Sequence, residues 1–478
     1  MLCQAFVLLL VALCAQCSIN KYPRIPVMFT NQPGDDAGSP LVLTDYIEAN
    51  KTKEGRNLSQ VVLPDVNLTS YAGYFRVNAT ADKKFNSSLF FWFFPAEVNA
   101  SSAPVLVWLQ GGPGASSMFG LFQEHGPLVV SKTNGSLSLL KRKIHWALNH
   151  NVIYIDNPVG TGFSYVQHPD QYSRNESHVG VNLYVALKQF FTIFPEYQKN
   201  DFYVTGESYA GKYVPALAYT IHINNPVAKT KINLKGVAIG NGLCDPLNMM
   251  VYSSYLYQLG LIDENAKKLI EEKEKKATQL ILEWKWDDAF NEFDSIINGD
   301  FNKQSTIFKN VSGFTNYFNY LVPIADNSSD VLMQDLFKNA TFRKSIHVGD
   351  AAFNSNDTVE QFLKQDVMSS VKSWIEILVN ATESNAKQYK ILFYNGQLDI
   401  IVAYPLTVNF LKTLDWSGKN AYANVSRTIW YHNNDIAGYL KKVDNFYEVL
   451  VRNAGHMVPS DQPEWAFDLI TKFTSGKL

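Results

Sequence analysis

Phe202-Tyr203-Val204-Thr205-Gly206-Glu207-Ser208-Tyr209-Ala210 is the stretch on which the fold turns. Its first four residues are aromatic or β-branched and read as a strand. Gly206-Glu207-Ser208-Tyr209-Ala210 then follows the Gly-X-Ser-X-Gly pattern of a nucleophile elbow, with Ala in the last place. The logic is steric. The turn from strand to helix is so tight that residues flanking the serine must be small, and the serine oxygen is lifted to the sheet edge. The N-terminus of the helix behind it favours negative charge developing there. A five-residue match alone is weak, and the strand in front of it carries the weight.

Apolar runs at 89–94, 105–109, 152–156, 202–205, 236–240, 391–394 and 448–451 read as strands. Several are apolar throughout, as expected for strands covered on both faces. Leu183, Ala186, Leu187, Phe190 and Phe194 repeat at helical spacing, and Pro195 ends the pattern. Strand-helix-strand alternation predicts an α/β class, with a mostly parallel sheet and helices on both sides. Residues 243–345 break that rhythm, and 263–298 reads as one or two amphipathic helices. This predicts a helical cap inserted into one sheet domain over 18–478. Residues 18–70, rich in Pro, Asn and Gly, read as an extended lead-in.

A serine nucleophile needs a base, and the base an orienting acid, in the chain order Ser, Asp, His for this fold. Asp399 lies in Asn395-Gly396-Gln397-Leu398-Asp399, after the strand at 391–394. His456 lies in Asn453-Ala454-Gly455-His456, after the strand at 448–451. Open parallel sheets place their sites at such strand ends. Singly, Asp399 reads equally as a turn residue and His456 as a loop histidine. An oxyanion hole needs an earlier glycine-rich loop and the amide after the nucleophile. Trp108-Leu109-Gln110-Gly111-Gly112-Pro113-Gly114 supplies the loop, with Gly112 and Tyr209 as donors. A phosphate-binding loop is the rival reading, but the Gly-Lys-Ser/Thr ending is missing.

The whole chain sets the context. It has 478 residues, 46% hydrophobic and 18% charged, which is enough apolar material for a large core. A formal net charge of −2 with no clustered basic face argues against a nucleic-acid partner. Residues 1–17 read as a secretory signal peptide, with an apolar run too short to span a membrane. Asn-X-Ser/Thr sites at Asn57, Asn67, Asn78, Asn86, Asn99, Asn134, Asn175, Asn310, Asn327, Asn339, Asn356, Asn380 and Asn424 fit that secretory route as glycosylation candidates. Three of the four cysteines, Cys3, Cys14 and Cys17, fall in the signal segment. The mature chain then keeps only Cys244, read as an inert buried hydrophobe.

These motifs together resemble the serine carboxypeptidases, the family of cathepsin A. The marks are WLQGGPGASS at 108–117, YIDNPVGTGFSY at 154–165, GESYAGKYVP at 206–215, NGQLDII at 395–401 and NAGHMVPSDQP at 453–463. Gln110 and the FFWFFPA and GLFQEHGP segments look most like the vitellogenic carboxypeptidase-like branch. The resemblance implies an α/β-hydrolase that removes C-terminal residues from peptides, with Ser208, Asp399 and His456 as the triad. It also implies that Glu124 and Glu207, with Gln110 and the backbone of Gly111, bind the substrate carboxylate. A carboxyl can hydrogen-bond a carboxylate only when one of them is protonated, so an acidic optimum follows.

Three departures stand beside the resemblance. Most of the family has Asn where this chain has Gln110, most cross-link the cap by disulfides, and many have Gly-Asp at the place of Asn395-Gly396. The readings left open are an acyltransferase sharing the first half-reaction, a storage or binding protein with a decayed site, and a small-molecule esterase or lipase. No metal or organic cofactor is indicated by any motif. The sequence leaves open a homodimer and the choice between a lysosomal or vesicular lumen and secretion.

Overall fold

The computed structural model describes residues 36–63, 66–79, 86–133, 136–301, 304–354, 358–384 and 386–478. The signal-segment reading over 1–17 and the sequons at Asn134 and Asn356 lie outside the described residues. The other sequon asparagines are all exposed or half-buried.

One sheet of 12 strands organises the chain. Its main strands are β1 (Ser70–Ala79), β2 (Asn86–Phe94), β3 (Val105–Leu109), β4 (Asn151–Ile155), β5 (Phe202–Glu207), β6 (Leu234–Gly240), β7 (Lys390–Gly396), β8 (Thr428–His432), β9 (Asp435–Val443) and β10 (Phe446–Val451). The two-residue strands Gln60–Val61 and Tyr165–Val166 complete it. Strands β4, β3, β5, β6, β7 and β10 pair in that order, all parallel. Antiparallel strands close both margins, β1 and β2 against β4 on one side, β9 and β8 beyond β10 on the other. The apolar runs of the sequence fall on the parallel centre and its neighbour β2, as burial on both faces requires.

Side chains of β3 show the two-sided burial directly. Val105, Val107 and Leu109 face a core shared with α1 (Glu176–Ile193) and α2 (Ala210–Asn224). Leu106 and Trp108 face the opposite core, where Phe473 from the C-terminal helix Pro463–Ser475 stacks edge-on against Tyr203 and Tyr447. Asn175 caps α1, its side chain accepting from the His178 amide at 3.0 Å.

Between β6 and β7 the chain leaves the sheet. Its first long helices are α3 (Glu264–Leu282), capped by Asp263, and α4 (Trp286–Phe293), which runs into a π-helical turn at Asp294–Asn298. The helical insertion read over 243–345 is followed by further helices, α5 (Thr358–Val367) and Lys372–Asn380, before β7 begins. Among the described residues no helix is long and apolar enough to cross a membrane.

The lead-in is a correction. Within the stretch read as extended, Leu43–Glu48 and Thr52–Leu58 are helices. Leu43, Tyr46 and Ile47 meet the sheet core from one face of the first, a pattern too short to stand out against Pro, Asn and Gly around it. Strands β1, β8 and β9 were also absent from the sequence reading; they lie at the margins, where one face or edge is wet and the apolar run is broken.

Phe93 sits at the hub of this packing, edge-on to Phe190 at 4.9 Å and to Tyr197 at 5.2 Å, between β2 and α1. Phe93→Ala is expected to lower unfolding free energy by about 3–5 kcal/mol, read from urea melts monitored by far-UV circular dichroism. A loss under about 1 kcal/mol would mean that the site collapses to fill the cavity.

Candidate active site

Strand β5 runs to Glu207, and α2 begins at Ala210, so Ser208 and Tyr209 alone reverse the chain. Ser208 pays for this with φ at 63°, a left-handed conformation that side chains rarely adopt. Its amide donates to the Gly240 carbonyl at 3.0 Å, and its carbonyl accepts from Gly211 and Leu243 amides, each at 2.9 Å. Neighbouring strands thus hold the strained residue. Gly111 shows how tightly the loop after β3 abuts it: an added Cβ would lie 2.5 Å from the Tyr209 nitrogen and 2.7 Å from the Ser208 Cβ.

His456 and Asp399 meet behind this elbow, both side chains fully buried, with Nδ1 of His456 2.8 Å from Oδ2 of Asp399. The pair has support that the sequence did not single out. Asn241, just past the end of β6, donates its side-chain amide to the same Oδ2 at 2.7 Å. Its carbonyl oxygen accepts from the Gly396 amide at 3.1 Å. The other Asp399 oxygen accepts from the Ile401 amide at 3.0 Å. Asn241 was findable by one rule: it ends a parallel strand beside the elbow, on the same side as Asp399 and His456. The His456 amide donates to Phe318 at 2.7 Å, and the two rings lie 5.2 Å apart.

Gly112, Pro113, Ser208 and Tyr209 line one wall of a pocket whose opposite wall comes from the insertion, with Phe290, Phe293, Tyr317, Phe318 and Val367. The loop carrying Gly111 and Gly112 is anchored by Asp156, another residue that sequence reasoning quoted without a role. One Asp156 oxygen accepts from Ser116 Oγ at 2.5 Å and the Ser117 amide at 3.0 Å, and the other from the Phe163 amide at 2.8 Å. Burial still pushes its carboxyl up to about 7.

Gln110, Glu124 and Glu207 form a closed cluster beside Ser208. The Gln110 amide nitrogen donates to Glu124 at 3.0 Å and to Glu207 at 2.8 Å, while its oxygen accepts from the Trp108 indole at 2.8 Å. Glu124 comes from a π-helical turn at Gly120–Glu124 and Glu207 from the end of β5. All three are sealed, at 1% exposure or less, and they stand behind the pocket wall. No donor reaches the second oxygen of either acid. Burial raises Glu124 to about 7, against the Gln110 bond. Burial first, then Glu124, raises Glu207 well above the carboxylate range. Two adjacent dry carboxyls cannot both ionise cheaply, so the pair holds a proton.

Of the residues singled out from the sequence, Gly112, Ser208 and Tyr209 share the pocket lining, Gly111 abuts Ser208 and Tyr209, Gln110 bonds Glu124 and Glu207, and Asp399 bonds His456. Cys244 stands outside the chemistry, free and buried, its thiol pushed up by burial.

A mostly parallel sheet with an elbow between β5 and α2 defines an α/β-hydrolase fold. Residues 61–476 match the serine carboxypeptidase family, and the chain belongs to it as a serine-type carboxypeptidase. It is 50% identical over 460 residues to the venom serine carboxypeptidase of Apis mellifera, covering 96% of this chain and 95% of that one. It is 45% identical to the probable serine carboxypeptidase CPVL of Homo sapiens and 44% to the vitellogenic carboxypeptidase of Aedes aegypti, covering 93% of this chain and 91% of the relative in each case. Kex1(delta)p, a prohormone-processing carboxypeptidase of Saccharomyces cerevisiae, superposes with a TM-score of 0.73 over 88% of this chain and 96% of its own, at 24% identity.

The acid pair makes a testable contribution to stability. Folded Glu124 and Glu207 keep protons that unfolded carboxyls, at an ordinary 4.5, release. Their contribution therefore falls as pH rises from about 4.5 through 7 and beyond. A Glu124→Gln/Glu207→Gln variant is expected to gain stability relative to wild type between pH 5 and pH 8, whatever constant packing cost the amides carry. Urea unfolding at the two pH values checks it. An unchanged difference would show that the acids titrate alike in both states.

Proposed function

We propose that this chain cleaves the C-terminal peptide bond of peptides and proteins by an acyl-enzyme mechanism, with an acidic optimum. The observation that carries the reading is the buried Glu124–Gln110–Glu207 cluster next to Ser208, whose burial raises both carboxyls. Hydrolysis of an ester or an internal peptide bond has no use for a buried proton-sharing acid pair at that place. Recognition of a free carboxylate does.

The His456–Asp399 bond supports the following mechanism. The Nδ1–H of His456 donates to Asp399, which leaves Nε2 as the base. Ser208 Oγ attacks the scissile carbonyl carbon and passes its proton to Nε2. The carbonyl oxygen, now negative, accepts from the amides of Gly112 and Tyr209. Collapse of this intermediate breaks the C–N bond, and His456 returns the proton to the departing amine of the C-terminal residue. Water then repeats the sequence on the Ser208 ester and frees the shortened peptide. Asn241 and the Ile401 amide hold Asp399 for its task.

The substrate carboxylate docks at the Gly111 amide, the Gln110 amide and the acid pair, taking one Gln110 N–H from its present carboxyl partner and a proton-bridged bond from the acids. The raised carboxyls keep a proton to donate in acid, and as pH rises and Glu124 ionises near 7 the added charge repels the substrate, so binding weakens. Surface sequons and the composition of residues 1–17 support a secretory or vesicular setting.

Release of the last residue from an N-blocked dipeptide, scanned over about pH 4 to 8, tests this reading. Release peaking in acid and lost in Ser208→Ala is the expected result; equal turnover of the free acid and its C-terminal amide would sink carboxylate recognition. Glu207→Gln is expected to lose at least about tenfold in kcat/KM and to flatten the alkaline fall. An unchanged pH profile in that variant would remove Glu207 from the role.

A further inference from the structure

Lys212, one helical turn beyond Ser208 on α2, is completely buried. A lysine in that position needs partners for its charge and all three hydrogens. It finds them on one short segment: Asp366 Oδ2 at 2.6 Å, the Asp366 carbonyl oxygen, and Ser369 Oγ at 3.0 Å. Asp366 is shared further. Its Oδ2 also accepts from the Tyr209 hydroxyl at 3.1 Å, and its Oδ1 accepts from the amide of Glu176, the first residue of α1, at 3.3 Å.

Glu176 makes this box neutral. Its carboxyl is buried, no donor is aimed at either oxygen, and Tyr209 has spent its one hydrogen on Asp366. Burial, then the Asp366 carboxylate, raises it far above the usual range, so it carries its own proton. The Lys212–Asp366 ion pair thus has the buried Glu176 carboxyl beside it.

The place of the box gives it meaning. Asp366 is the next-to-last residue of α5, the inserted helix whose Glu360 and Val367 line the pocket. Tyr209 lines the facing wall and, on the reading above, donates its amide to the oxyanion. We infer that the Lys212–Asp366 ion pair is a positioning device for catalysis: through the Tyr209 hydroxyl and the end of α5 it sets the oxyanion amide and the pocket wall relative to Ser208. This rests on the proposed function. Nothing in the mechanism itself needs a charge there, and a buried helix–helix contact is ordinarily filled by apolar residues. Buried ion pairs are often replaceable by such residues without loss of stability, so retention of this one points to geometry.

The test separates geometry from stability. Single removal of either charge strands the other, so Lys212→Met/Asp366→Leu together is the informative variant. It is expected to fold with a melting temperature near wild type, while kcat drops about 10- to 100-fold and KM moves less than about threefold. Tyr209→Phe, which spares the ion pair and cuts only its bond to the elbow, is expected to lose about three- to tenfold in kcat with its melting temperature unchanged. Wild-type kcat in a folded double variant, or losses in KM alone, overturns the inference. Should the double variant fail to fold, Tyr209→Phe decides: unchanged kcat there overturns it as well. Ser208-dependent release by the wild type is measured first. Its absence would defeat the proposed function, whereas its presence beside fully active variants defeats only the positioning role.

Discussion

Ser208 is held in a left-handed backbone conformation, and the rest of the site is arranged to keep it there. Such a conformation costs an ordinary residue about 1–2 kcal/mol. Hydrogen bonds to the Gly240 carbonyl and from the Gly211 and Leu243 amides offset that cost by tying Ser208 to the neighbouring strand and to its own helix. Small residues let these contacts form. A Cβ on Gly206 would stand 2.6 Å from the Leu109 carbonyl oxygen, so the strand beneath the elbow could not pair with β3 at this spacing. The pairing of β3, β5 and β6 thus becomes a statement about where one serine oxygen points.

Around that elbow the protein buries three groups of charge, each neutralised differently. Asp399 is surrounded by His456, the Asn241 side-chain amide and the Ile401 backbone amide. Glu124 and Glu207 have only the Gln110 amide between them and keep a proton instead. Asp366 faces a lysine and is flanked by a neutral Glu176. In a dry interior a carboxyl with enough donors ionises and one without them does not. This contrast gives residues of nearly identical chemistry different surroundings: donors around Asp399, a second acid beside Glu207 and a lysine beside Asp366.

Residues near one another in sequence were the readable ones. The elbow, the glycine loop and the loops holding Asp399 and His456 each follow a strand that is apolar on both faces, so they announce themselves in a short window. The helices at 43–58 did not, because their apolar positions are few and their stability comes from docking on the sheet. Asn241 and Asp156 were hidden for another reason. Both act on partners far along the chain, 158 residues away for Asn241 and Asp399 and 40 for Asp156 and Ser116, and an asparagine after a strand looks like any turn residue. Lys212 gave no sign at all, since burial is not written in a lysine's neighbours.

The sequence alone determined the central apolar strands, the elbow around Ser208 and the loops that carry Asp399 and His456, because these depend on local periodicity, local sterics and chain direction. Only the tertiary structure decided which acids are charged, which amide steadies Asp399 and how the inserted helices close on the pocket. Those outcomes depend on burial and on distances between residues remote in sequence. A carboxyl's environment is a property of the packed core, and no window of the chain contains it.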